Sequence, residues 1–265
     1  MVRATAADDL DRIHAALKAA GDALAGFTPG EVAARMKAGD DPVTAADLAV
    51  NQALLATLPR PGEGWLSEET ADDAARLECR RAWVVDPVDG TREFVMGIPE
   101  WCVSIGLVVD GKPVAGGILA PSPGHTIVGD VDDGVFLNGV PVAVSGRTEL
   151  RGALVLASRS EVKRGEWAPF FSTPISVRNM GSVAYKLGLV AAGFADATWT
   201  LVPKHEWDVA AGAALVTAAG GVVFGPDGEE ISFNQADPLL PGFVAVGAGL
   251  ESEVRDFLEE IRAGG

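Results

Sequence analysis

The chain has 265 residues, 48% of them hydrophobic and 22% charged, with 37 acidic against 21 basic side chains and a formal charge of −16. That length suffices for a sizeable core, in one large domain or two closely packed halves, and the composition is that of an ordinary globular protein. The acidic balance excludes nonspecific binding to nucleic acid polymers, which depends on Lys and Arg neutralising phosphates. A phosphorylated substrate would therefore need local positive charge, as bound cations would supply.

Residues 1–10 carry Asp8 and Asp9 instead of a basic segment leading into an apolar run, so no signal peptide is read. Leu10, Ile13, Leu17 and Leu24 recur at helical spacing and predict an amphipathic helix over 6–25. A short extended piece is expected over 32–37. The segment from Asp41 to Asp47 opens a helix over 44–58 that Pro59 stops, with Thr44 as N-cap and Asp47 as its acidic partner three residues on. After a short apolar stretch come Glu68 and Glu69, which by themselves read as a solvated acidic loop.

The next segment, Trp83-Val84-Val85-Asp86-Pro87-Val88-Asp89-Gly90-Thr91, is an apolar strand that ends in two carboxylates three apart. These residue types also make plain solvated turns. The spacing nonetheless suits a hard divalent cation such as Mg²⁺, which takes oxygen ligands from one or two carboxylates plus a substrate phosphate. Backbone N–H groups at Gly90 and Thr91 are placed to receive that phosphate.

From residue 101 to 136 the pattern is β, with strands expected over 103–109, 114–120 and 126–131. Turn signals at Asp110-Gly111 and Pro121-Ser122-Pro123-Gly124 make them antiparallel neighbours, and Asn138-Gly139 marks another tight turn. Beyond 145, strands are expected over 154–157, 175–177 and 194–199, and helices over 181–192, 208–219 and 250–262. Gly220-Gly221 stops the second of these helices, and Asp208 stands near its start, where it can cap backbone N–H groups.

Several chemistries drop out. His14, His125 and His205 show no zinc spacing, and His205 reads as a polar surface histidine beside Trp207. There is no Gly-x-Ser-x-Gly elbow, and Val246-Gly247-Ala248-Gly249 lacks the third glycine of a dinucleotide fingerprint. Cys79 and Cys102 have neither metal nor redox spacing and read as reduced thiols, which fits a cytoplasmic protein. The apolar run 102–109 is too short to span a bilayer, so no membrane role is expected.

Taken in order, Asp47, Glu68-Glu69, Asp86 through Thr91 and Trp207 through Gly212 resemble the signature of the inositol monophosphatase superfamily of Mg²⁺-dependent, lithium-sensitive phosphatases. Each piece has a structural reading alone, but independent motifs in order multiply their weight. The resemblance covers roughly residues 30–225. It implies a layered α/β/α/β/α sandwich, with residues 1–145 carrying most metal ligands and 146–265 carrying the Trp-Asp motif and substrate contacts. It further implies two or three Mg²⁺ ions held by Glu68, Asp86, the Val88 carbonyl, Asp89 and Asp208. The attacking water would be activated by Glu68 with Thr91, or by Asp47 with a threonine such as Thr44. A small phosphorylated substrate is implied, and a homodimer stays open.

The substrate is read from departures within the family. Inositol monophosphatases place a ring-binding Glu where alignment on Asp208 puts Leu201, which cannot bind hydroxyls. Ser158, Arg159 and Lys186, together with Gly90, Thr91 and Asp208, instead resemble the substrate contacts of the bacterial 3′(2′),5′-bisphosphate nucleotidase branch. The expected activity is removal of the 3′-phosphate from adenosine 3′,5′-bisphosphate. Inositol 1-phosphate, histidinol phosphate and fructose 1,6-bisphosphate are the alternatives. A noncatalytic protein that binds a phosphorylated ligand is the alternative from a different class, and the intact carboxylate set disfavours it.

Overall fold

A computed structural model describes residues 3–36 and 42–264 of the chain. Helix α1 (Arg3–Leu24) is followed by a small antiparallel pair, β1 (Ala34–Met36) and β2 (Pro42–Thr44), and by α2 (Ala45–Thr57). Thr44 caps α2 as expected. Its Oγ1 accepts from the Ala46 N–H at 3.1 Å, while Asp47 Oδ2 accepts from the Thr44 N–H at 2.8 Å. A cap of this kind contributes about 1 kcal/mol. Asp41 and Lys37, named in the expected segments, lie outside the described residues.

A seven-stranded sheet then runs in chain order: β3 (Gly64–Ser67), β4 (Arg81–Asp89), β5 (Cys102–Val109), β6 (Lys112–Ala120), β7 (His125–Asp130), β8 (Gly134–Leu137) and β9 (Val140–Val142). The short helix α3 (Thr91–Met96) interrupts it after β4. Only β3 and β4 pair in parallel; the others are antiparallel, as the turn residues require.

The rest of the chain builds a second sheet. Its strands are β10 (Leu154–Ser158), β11 (Ser176–Met180), β12 (Ala197–Thr200), β14 (Gly221–Phe224) and β16 (Phe243–Gly247), in the spatial order β11-β10-β12-β16-β14. Helices α4 (Arg159–Arg164), α5 (Val183–Ala191), α6 (Glu206–Ala218) and α7 (Glu251–Gly264) connect or flank these strands. A two-residue pair, β13 (Lys204–His205) with β15 (Leu239–Leu240), leads into α6.

Three apolar clusters define five layers. Ile13 and Leu17 of α1 and Val50 and Leu54 of α2 pack on Trp83, Val85, Val103, Ile105 and Leu107, one face of the large sheet. Its other face carries Val84, Cys102 and Ile118, which meet Leu187 of α5 and Val209 and Leu215 of α6. Val155, Trp199 and Val246 of the second sheet pack on Val254 and Leu258 of α7. The order is therefore helices, sheet, helices, sheet, helices, the sandwich that the motifs imply. Helix α6 lies so close to β5 that a Cβ built on Gly106 would stand 2.8 Å from the Ala211 backbone nitrogen. Glycine at 106 is what lets this helix seat against the sheet.

Element boundaries differ from expectation mainly in the second sheet. The strand expected over 175–177 extends through the polar Arg178 and Asn179, because an edge strand needs no apolar alternation there. The strand expected from 194 begins at Ala197, since Phe194 stacks on His125 outside the sheet. Strands β14 and β16 were not predicted at all.

Candidate active site

Two carboxylates three apart on a regular strand point to opposite faces. Here they do not, because β4 slips against β5. Asp86 pairs with Ser104 and Asp89 with Cys102, so three steps on one strand match two on the other. The extra residue is a β-bulge at Pro87-Val88, and it turns Asp89 to the same side as Asp86. The Asp86 carboxylate also closes a local turn, accepting from the Val88 N–H at 2.9 Å. From the helical layer on that side, α6 presents Asp208 from its first turn. One carboxylate oxygen from each of Asp86, Asp89 and Asp208 lies within 4.8 Å of the others.

These groups are enclosed and crowded. Burial pushes Asp86 well above the usual carboxylate range, and the charges of Glu68, Asp89 and Asp208 add to it. Burial does the same to Asp208, reinforced by Asp89 and Glu68. For Asp89, burial raises the value against the opposing hydrogen bond from Ser182 and the charge of Lys186. A divalent cation answers this arrangement: convergent anionic oxygens, enclosed, without a counter-charge of equal size. The donor set is all oxygen, which fits a hard ion such as Mg²⁺ better than a soft one.

Second partners orient these carboxylates. Asp89 Oδ2 accepts from Ser182 Oγ at 2.6 Å and from the Ala184 N–H at 2.5 Å, both at the start of α5. Asp208 Oδ2 accepts from the His205 N–H at 3.2 Å, the capping role expected of it. Thr91 Oγ1 stands 3.1 Å from Asp47 Oδ1 and 2.9 Å from the Val88 carbonyl, while Thr44 Oγ1 donates to Asp47 Oδ2 at 2.6 Å. The two sets of water-activating residues suggested by sequence are thus partly one: Asp47 joins Thr44 and Thr91. Between them, Gly90 holds a left-handed backbone (φ 93°), where a side chain would press on the Glu100 carbonyl and Trp101.

All of this opens into a cavity of about 360 Å³, lined among others by Glu68, Asp86, Asp89, Thr91, Ser158, Arg159, Lys186, Lys204 and Asp208. Asp47 and Thr44 stand behind that wall and reach it through Thr91. Arg159, expected at the substrate, has its Nη2 on Glu100 and its Nε 3.5 Å from Glu93. Lys186, likewise expected at the substrate, is buried and donates from Nζ to the Ser182 carbonyl at 2.8 Å. His205 is exposed at the rim, stacked on Trp207 with ring centroids 4.3 Å apart. Sequence reading did not single out Lys204 or Glu161, nor did it assign a role to Ser182, although a serine directly before an apolar helical run is a capping signal.

The model of the inositol monophosphatase family matches residues 7–258. The chain belongs to the inositol monophosphatase family. It is therefore a phosphoric monoester hydrolase of a metal-dependent family whose members act on small phosphorylated substrates. Inositol monophosphatase 3 of Solanum lycopersicum is 38% identical over 181 residues, 64% of this chain and 67% of that protein. The 3'-phosphoadenosine 5'-phosphate phosphatase of Mycobacterium leprae is 32% identical over 231 residues, 82% of each chain. Among solved structures, the IMPase of Thermotoga maritima superposes with a TM-score of 0.81 at 26% identity, covering 94% of this chain and 96% of that one. CysQ of Bacteroides thetaiotaomicron gives 0.74 at 27% identity, with coverage of 91% and 97%. No helix among the described residues is long and apolar enough to cross a membrane.

Proposed function

We propose that this family member is an Mg²⁺-dependent 3′(2′),5′-bisphosphate nucleotidase that removes the 3′-phosphate of adenosine 3′,5′-bisphosphate. The observation that carries the reading is a single cavity whose lining joins the carboxylates of β4 and α6 with Ser158, Ser160, Lys186 and Lys204. Glu68, Asp86, the Val88 carbonyl, Asp89 and Asp208 would hold two or three Mg²⁺ ions. When bound, they supply positive charge for the phosphoryl oxygens and for the leaving oxygen, and lower the pKa of water.

The chain's own groups do the rest. The Thr91 hydroxyl can direct its proton to Asp47 and so keep lone pairs to accept one from the attacking water. Thr44, bonded to the other Asp47 oxygen, fixes that carboxylate's orientation. Glu68, which follows β3 and lines the cavity, is the second acceptor for the water's proton. Gly90 and Thr91 offer N–H groups to the scissile phosphate, and Asp208 contacts the substrate as well as the metal. Ser158, Arg159 and Lys186 are assigned to the substrate's other end. Free thiols at Cys79 and Cys102 suit a reducing, cytoplasmic setting.

Two things favour a nucleotide over inositol phosphate: Leu201, exposed and apolar, replaces a hydroxyl-binding carboxylate, and the mycobacterial relative aligns over a larger share of this chain than the tomato enzyme does. The higher identity of the tomato enzyme favours inositol 1-phosphate as the second reading. Phosphate release measured across adenosine 3′,5′-bisphosphate, inositol 1-phosphate, histidinol phosphate and fructose 1,6-bisphosphate decides. The nucleotide is expected to have the highest kcat/KM, and a preference for inositol 1-phosphate would overturn the substrate assignment.

A further inference from the structure

We propose that Lys204 is a further residue, beside Arg159 and Lys186, through which this enzyme reads a second anionic group on its substrate, an inference that rests on the phosphomonoesterase reading above. Lys204 lies on β13, four residues before Asp208, and lines the cavity together with Ser158 and Ser160. Its Nζ is 3.1 Å from Glu161 Oε1, and its side chain is 15% exposed where that of Glu161 is 2%. Glu161 has other donors: Thr200 Oγ1 gives to Oε1 at 2.5 Å and Trp167 Nε1 to Oε2 at 3.0 Å.

That bonding matters for what Lys204 has left to offer. An ammonium carries three N–H donors and Glu161 engages one side of it, so a fixed cation with spare donors borders the cavity. The two basic residues named from sequence are engaged differently. Arg159 is the most exposed of the three, at 36%, and is matched by two carboxylates, Glu93 and Glu100. Lys186 is buried and spends a donor on the Ser182 carbonyl. Lys204 has one carboxylate partner and more exposure than Lys186, and its charge is felt at both Asp89 and Asp208. A phosphate held there would share the cavity with the scissile group. The substrates so favoured are phosphomonoesters with a second phosphate, or a group of like charge, in place of a neutral polyol.

The experiment compares adenosine 3′,5′-bisphosphate with adenosine 3′-phosphate, which has the same scissile ester and no second phosphate, in wild type, Lys204→Met, Lys204→Arg and Lys204→Met/Glu161→Gln. Wild type should prefer the bisphosphate. Lys204→Met should cut the ratio of the two kcat/KM values about tenfold or more, chiefly through KM, as loss of a charged hydrogen bond does. Lys204→Arg should restore part of the ratio. The double variant guards against misfolding, because Lys204→Met alone strands a buried carboxylate. It should recover thermal stability while keeping the lowered ratio.

A ratio unchanged in Lys204→Met overturns the inference and leaves the nucleotidase reading standing. So does an equal loss on both substrates that the double variant reverses, which would mark a purely structural residue. A wild type with no preference for the bisphosphate overturns both.

Discussion

Ser182 offers a test that separates the aim of a proposed metal ligand from the stability of the fold. Its backbone is left-handed (φ 55°, ψ 118°), yet it carries a side chain. For a residue other than glycine that costs about 1–2 kcal/mol. The hydroxyl gives two things in return. It caps α5 by accepting from the Tyr185 N–H at 3.0 Å, and it donates to Asp89 at 2.6 Å. Ser182→Ala keeps the strain and loses both bonds: about 1 kcal/mol for the cap and about 1.5–3 for a hydrogen bond to a charged group. Ser182→Gly loses the same bond to Asp89. It gives up only a few tenths of a kcal/mol at the cap, and it relieves the strain. Metal-free thermal denaturation should therefore place the Gly variant several degrees above the Ala variant, at about 2–4 °C per kcal/mol for a chain of this size. Both variants should nevertheless need about tenfold more Mg²⁺ for half-maximal phosphate release, the low end for loss of a ligand's supporting bond. The low end applies because the Ala184 N–H still holds Asp89. Half-activation unchanged in Ser182→Gly would refute the reasoning, and so would an Mg²⁺ requirement that tracked stability across the two variants.

Asp89→Asn should abolish turnover without lowering the metal-free melting temperature, since it removes one of the crowded carboxylate charges along with the ligand; a chelated wild-type sample should be equally inactive, and full turnover in chelator would contradict the assignment. Thr91→Ala and Glu68→Gln should lower kcat far more than they raise KM, because both groups are assigned to the attacking water; normal kcat with only a raised KM would move them to substrate binding. Lithium chloride should inhibit where matched sodium chloride does not, because a small hard cation competes for the same oxygens. Identical rates in the two salt series would count against that.

What could be read from sequence was local. The α2 cap rests on Thr44 and Asp47, three residues apart, and the strand, turn and helix around Asp86 to Thr91 are one contiguous run. The turn residues after Val109 and Ala120 fix antiparallel order without knowledge of the rest. What could not be read depends on a partner. Asp86 and Asp89 share a face only because β4 slips by one residue against β5, and no pattern within β4 reveals a slip. Arg159 and Lys186 look like exposed cations until α3, the loop at Glu100 and the start of α5 close around them. Strand β16, four apolar residues and a glycine, is too short to announce itself and is held by β12 and β14 on either side. Lys204 stands on a two-residue strand whose only pairing is to β15, thirty-five residues downstream.

The site is also a joint in the fold. Asp86 and Asp89 belong to the large sheet, Asp208 to the helical layer behind it, and mutual repulsion of the three carboxylates opposes that docking. Two features hold them together without a cation. Gly106 admits the α6 backbone against β5, so that apolar contacts of Val209 and Leu215 fix where Asp208 must stand. The buried ammonium of Lys186 and the half-buried one of Lys204 bring positive charge to the same corner. Neither feature neutralises the cluster, and one that did would remove its affinity for metal. The three carboxylates stand on packed elements, a strand of the large sheet and the first turn of α6. The apolar layers absorb the repulsion, and metal binding then recovers that energy as affinity.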